Sequence, residues 1–291
     1  MKRFVTEHLD TVGYPEKDRE IILDALDRIL GSASASEALD SAVAAYRAKF
    51  RINWRDIVAL SKRAAGSTGM SEYTANLVFF LCLSRTALDY YRDYGLPEEI
   101  FWDGMRDLRY KNEECRLIKG VWGNFVPEWT VLFFRMELFG LGRLQFELTH
   151  YNGFYNKGEK YLRPVSNVIK AHIPRDGTPL SPEACDRSFE RALEFFGGEL
   201  GRYPAAMCNS WLLFPENRNM LRPGSNILAF MDRFDIVESG CYGDFEALQS
   251  LFDTDEKDPD RLPADSSFRR AYIAYLKRGG MPGWGKGVFF Y

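Results

Sequence analysis

A chain of 291 residues with 46% hydrophobic and 27% charged residues has length for two domains, each with its own core; a disordered segment and a small disulfide-stapled scaffold are excluded. Its 38 Lys and Arg stand against 41 Asp and Glu, a formal charge of −3 spread over both halves without a basic stripe, so no nucleic-acid partner is expected. The longest apolar run, residues 77–83, is far short of the roughly 20 residues of a membrane span, and no apolar stretch of signal-peptide length follows Met1; no membrane partner and a cytoplasmic location are expected.

Residues 1–122 read as an α-helical bundle. Pro15 opens a helix in which Ile22, Leu23, Leu26, Ile29 and Leu30 recur at helical spacing until Gly31. Residues 36–50 place Ala38, Leu39, Ala42, Val43 and Tyr46 on one face, and residues 54–65 repeat the pattern with Ile57, Val58 and Leu60 before Gly66. From the capping Ser71 to Gly95 the chain is apolar on most sides, which predicts the central helix. Pro97 starts another, with Ile100, Phe101, Met105 and Leu108 inward.

Beyond Gly120 the period changes, and residues 123–291 form the second domain. Two apolar runs in residues 129–148, joined by Gly140-Leu141-Gly142, read as a β-hairpin; in its second arm Leu144, Phe146 and Leu148 alternate with Arg143, Gln145 and Glu147. A strand follows at 165–173, then a loop with Gly177, and a helix with Ser181 at its N-cap and Pro182 in its first turn. Strands are predicted at 206–214, 226–237 and 287–291, an acidic loop at 254–265 and a helix from Asp265 or Ser266 to Lys277. The fold class is therefore α+β: a helical bundle followed by a mixed α/β domain whose central sheet is partly antiparallel.

His172 ends a strand on the face opposite its apolar neighbours, where it can take a proton near neutral pH; the alternative is an imidazole bonded to nearby loop backbone. Cys208 and Ser210 share a strand face, so a Cys208 nucleophile with His172 as base stands beside a buried thiol that merely fills space. Arg143, Gln145 and Glu147 form a polar stripe able to hold a polar acceptor, with Glu147 a second candidate base, or else a solvated charge ladder. The five cysteines, Cys82, Cys115, Cys185, Cys208 and Cys241, lack a C-x-x-C pair and are taken as reduced, and His8 and His150 lack metal-ligand spacing, so no metal is expected.

Three stretches are distinctive: residues 141–147 (LGRLQFE), His172-Ile173-Pro174 with Gly177 and residues 180–185 (LSPEAC), and Cys208-Asn209-Ser210-Trp211-Leu212-Leu213 followed by Ser225-Asn226-Ile227. With them the chain resembles a bacterial acyltransferase family in which a helical N-acyltransferase N-terminal domain precedes a GNAT-like C-terminal domain. The resemblance implies an acyl-CoA co-substrate (acetyl-CoA or longer), its pantetheine between two splayed parallel strands, 165–173 and 206–214. The pyrophosphate would rest on residues 175–183, with Arg175, Gly177, Thr178 and Ser181, where a helix N-terminus offers unpaired amides, and the strand end at Ile173 would polarise the thioester carbonyl. Gly177 stands alone there, without the Arg/Gln-x-x-Gly-x-Gly spacing of the GNAT fingerprint. The implied activity is transfer of an acyl group to a small-molecule amine, held by Arg143, Gln145 and Trp211. A GNAT-like binding or scaffold protein that has lost CoA binding is the alternative. The oligomeric state stays open.

Overall fold

The computed structural model describes residues 1–241 and 246–291. The chain divides into two compact units, Met1–Gly140 and Leu141–Tyr291. In the first run α1 (Lys2–Thr11), α2 (Glu16–Gly31), α3 (Ala33–Ala48), α4 (Trp54–Thr68), α5 (Glu72–Asp93), α6 (Glu98–Lys119) and α7 (Pro127–Phe134). α5 is the central helix: its residues from Leu77 to Leu83 are buried without interruption, and the Ser71 hydroxyl accepts the Tyr73 amide at its start.

Residues 123–140, read above with the second domain, pack with the first, and the run expected as a hairpin arm is largely the helix α7. Pro127 stands in its first turn with Glu128, and Val131, Phe133 and Phe134 are buried. The Tyr46 and Tyr91 hydroxyls donate to the carbonyls of Phe134 and Phe133, satisfying groups that a helix C-terminus leaves unpaired. Glu137, after this helix, faces Arg51 and Arg135.

The chain passes from one unit to the other within β1 (Phe139–Leu141). There follow β2 (Leu144–His150), β3 (Tyr155–Lys157), β4 (Lys160–Leu162), β5 (Asn167–His172), α8 (Pro182–Phe196), β6 (Ala205–Ser210), α9 (Asn226–Met231), β7 (Asp235–Cys241), α10 (Glu246–Phe252), α11 (Ser267–Lys277) and β8 (Gly283–Phe290). Among the described residues, six strands form one sheet in the order β1-β2-β5-β6-β8-β7, and β3 pairs with β4. β5 runs antiparallel to β2 and parallel to β6, and β8 is antiparallel to β6 and β7. The strand expected over 226–237 is instead α9 followed by β7: the Ser225 hydroxyl accepts the Leu228 amide and starts a helix.

Both sheet faces are covered. Phe146 and Phe289 meet Phe189 of α8 on one face. On the other, Tyr151, Leu162, Val168, Ala205, Met207 and Val288 form a second core. β8 begins earlier than expected, at Gly283, because alternate glycines lower strand propensity and conceal it. Those glycines serve close packing: a Cβ on Gly285 would lie 2.2 Å from the Leu213 carbonyl oxygen, and one on Gly287 2.5 Å from Phe234 Cβ. Gly285→Ala must push backbone against backbone beside β6, so it is expected to destabilise the protein by ~2 kcal/mol; urea denaturation of the intact chain measures this.

Candidate active site

The parallel ladder between β5 and β6 pairs Ile169 with Ala206, Lys170 with Met207 and Ala171 with Cys208, and ends there. Each strand keeps its outer partner further along: β5 stays on β2 through His172↔Gln145, and β6 stays on β8 through Ser210↔Gly285. The two middle strands therefore separate beyond Ala171 and Cys208. Beyond that rung, backbone N–H and C=O groups that a longer ladder would satisfy are not bonded between the two strands.

Ile173 follows β5 at the open end, and the loop beyond it returns into α8. The Arg143 guanidinium is only 9% exposed and reaches the loop from the turn between β1 and β2. It donates to the carbonyls of Pro174 at 3.0 Å and Thr178 at 3.2 Å, and lies 3.4 Å from the Asp176 carboxylate. Gly142, at φ 87°, makes the turn, and the Ser188 hydroxyl of α8 accepts the Arg143 amide at 2.8 Å. Arg143 thus clamps the loop, and was read above as an acceptor contact because its turn position was not visible in the alternation.

Within the loop, Asp176 accepts from the Thr178 amide and hydroxyl, and Ser181 caps α8 by accepting from the Ala184 amide at 3.3 Å. Among the described residues no hydrogen bond is made by the amide of Glu183, in the first turn of α8, or by that of Gly177 in the loop before it. Arg175 pairs with Asp253, whose other oxygen takes Arg269 Nη2 at 2.6 Å. Asp253 sits in the left-handed region at φ 61° and was invisible to sequence reasoning, since only the fold brings it to Arg175.

The sheet face opposite α8 carries the titratable groups. Glu147 lies across from Lys170 and Gln145 across from His172, so all four project to one side. One oxygen, Glu147 Oε1, accepts both Lys170 Nζ at 2.7 Å and His172 Nε2 at 2.9 Å. Burial raises the Glu147 carboxyl, but the bonds from His172 and Lys170 and the Lys170 charge outweigh it and hold the group at about 2. Burial lowers His172 below its ordinary value; the Glu147 bond works against this and the Lys170 charge with it. At neutral pH the imidazole is thus uncharged and gives its Nε2–H to Glu147. Lys170 was not singled out from sequence, although strand alternation places it on the His172 face.

Cys208 aligns with Ala171 and so points to the α8 face, away from His172. It is fully buried, and burial pushes its thiol up to about 12. Ser210 shares that face, and its hydroxyl accepts the Leu212 amide at 3.2 Å. Trp211 stacks with Phe268 at 6.4 Å against the core of α10 and α11. Gln145 is 3% exposed. Asn209, which pairs with Lys286 and not with β5, is exposed at the gap on the His172 face. Among the described residues no three His, Cys, Asp or Glu side chains converge as metal ligands would, and no helix is long and apolar enough to cross a membrane.

Comparison with known proteins places this geometry. The family model described as the N-acyltransferase N-terminal domain matches residues 3–136, and that of the GNAT-like C-terminal domain matches residues 138–289. No curated protein matches the chain. Two similar solved structures are an acyltransferase in complex with decanoyl-CoA and teicoplanin, and a mutant acyltransferase in complex with octanoyl-CoA. Each is 26% identical, with a TM-score of 0.74 over 97% of this chain and 86% of that one. Another acyltransferase, in complex with decanoyl-CoA, is 21% identical with a TM-score of 0.68 over 97% of this chain and 85% of that one, a likeness of fold. The chain belongs to the family with a GNAT-like C-terminal domain preceded by an N-acyltransferase N-terminal domain, and its architecture is that of an N-acyltransferase.

Proposed function

We propose that the protein transfers an acyl group from an acyl-CoA to the amine of a small-molecule acceptor, with the thioester placed where β5 and β6 part. The observation that carries this reading is the end of the parallel ladder at Ala171 and Cys208 while both outer pairings continue. The pantetheine arm is itself an extended chain with amide groups, so it can pair with the strand edges as a peptide would. Its pyrophosphate lies over the amides of Gly177 in the loop and Glu183 in the first turn of α8, with Arg175 adjacent and Thr178 and Ser181 shaping the loop.

The reaction is direct attack of the amine nitrogen on the thioester carbonyl. A carbon–nitrogen bond forms, the carbon–sulfur bond breaks, and CoA leaves as thiolate, which takes up the second proton that the nitrogen loses as it becomes an amide. His172 accepts the ammonium proton, and Glu147 steadies the imidazolium through Nε2–H. Cys208 faces away from His172 and keeps its proton, so the path has no acyl-enzyme. Similar solved acyltransferases bind decanoyl- or octanoyl-CoA and, in one case, teicoplanin. This supports medium-chain donors and a bulky amine-bearing acceptor here.

Calorimetric titration with acetyl-CoA and decanoyl-CoA tests the reading: decanoyl-CoA is expected to bind, whereas failure of both would leave a scaffold that has lost CoA. His172→Gln is expected to lower kcat by about 10²-fold or more with the KM for acyl-CoA little changed. An unchanged kcat would remove His172 from the mechanism. Arg143→Lys cannot hold two carbonyls and a carboxylate in a planar fork. It is expected to quicken amide hydrogen exchange in residues 174–178 and to weaken acyl-CoA binding about tenfold, measured by exchange mass spectrometry and calorimetry.

A further inference from the structure

One carboxylate oxygen in the second unit does two jobs. Glu147 Oε1 accepts Lys170 Nζ and His172 Nε2 together, which fills its lone pairs on that side and fixes both donors. Strand register requires the arrangement: Lys170 faces Glu147 directly across the β2–β5 pair, and His172 is the next residue on the same face of β5. Sharing one oxygen sets the two nitrogens within about 6 Å of each other, a range at which one positive charge disfavours a second. The three side chains are between 16% and 27% exposed, so solvent screens them only in part.

A carboxylate beside a histidine favours the protonated imidazole, and the more it does so the smaller the share of histidine able to accept a proton from an incoming ammonium. Lys170 supplies a positive charge to the same oxygen and so opposes that pull, in the same direction as burial. The other strand packed on β5 adds no charge on this face: β6 opposes Lys170 with Met207, while Cys208 points to the α8 side. α8 lies on the opposite face of the sheet with its buried Cys185. Lys286 lies in the row of His172, beyond Asn209 on β8, where it faces Glu238 and the Tyr151 ring.

We propose that Lys170 is a positioning residue: by sharing Glu147 with His172 it offsets the pull of the carboxylate and, with burial, keeps the imidazole unprotonated, its Nε2–H fixed on Glu147. This rests on the acyl-transfer reading for its use, but not for its measurement. The chain has three histidines, His8, His150 and His172, so imidazole NMR signals can be assigned from single His→Gln variants and followed through a pH titration without substrate.

Lys170→Gln is expected to raise the midpoint of His172 by about one unit, and Lys170→Arg to return it toward the starting value. In acyl transfer, the acidic limb of kcat/KM against pH is expected to move upward by the same amount in Lys170→Gln. An unmoved His172 midpoint in a folded Lys170→Gln protein overturns the inference, as does failure of Lys170→Arg to restore it. Should Lys170→Gln not fold, Lys170→Met and Glu147→Gln serve instead. With Glu147 neutral, the two cations no longer share an anion, and His172 is expected to titrate lower still. A raised midpoint with a stationary kinetic limb upholds the role of Lys170 and overturns His172 as the base.

Discussion

The second unit is organised around the point where β5 and β6 stop pairing. A parallel ladder that runs to its full length buries its own polar backbone and leaves nothing for a ligand to bond. Here each strand is retained by its outer neighbour past the last shared rung, Ala171 with Cys208, so separation costs only the middle bonds. Everything else at the site follows from holding these edges apart. Arg143 pins the loop leaving β5, α8 begins just beyond that loop, and the 3-10 turn Trp211–Leu213 after β6 crosses over β8.

The electrostatics follow the same division. On the α8 face, burial is apolar and the Cys208 thiol is kept protonated. On the other face, a carboxylate, an ammonium and an imidazole share one oxygen, which makes a neutral histidine compatible with a neighbouring anion. One strand thus supplies an inert side and a proton-handling side, because successive residues of a strand point in opposite directions. The acids of the neighbouring loop are likewise tied up, Asp176 by Arg143 and Thr178, and Asp253 by Arg175 and Arg269.

Helical periodicity with proline and glycine boundaries located α2, α3, α4 and α6, an all-round apolar run located α5, and capping residues marked the starts of α5, α8 and α11. α7 and α9 were not legible, since aromatic and β-branched residues in a short run fit a buried helix as well as a strand, and only partners such as Tyr46 and Tyr91 decide between them. Alternation placed Lys170 and His172 on one face and Gln145 and Glu147 on another, without saying that the two faces are the same. That is a matter of register, set by residues distant in sequence. For the same reason the opposed directions of Cys208 and His172, and the meeting of Asp253 with Arg175, could not be read from the chain.

The glycines of β8 give the gap two walls of unlike material. Beside β6, Gly283, Gly285 and Gly287 let the Phe214 ring, the Leu213 backbone and the Phe234 side chain come down onto the strand itself, so that wall is stiff through bare steric contact. Beside β5, the wall is held by ions and hydrogen bonds centred on Arg143 and Glu147. Sequence drift should therefore be asymmetric across the opening: the β8 side rejects almost any added carbon, while the β5 side accepts changes of shape but answers to acidity and salt.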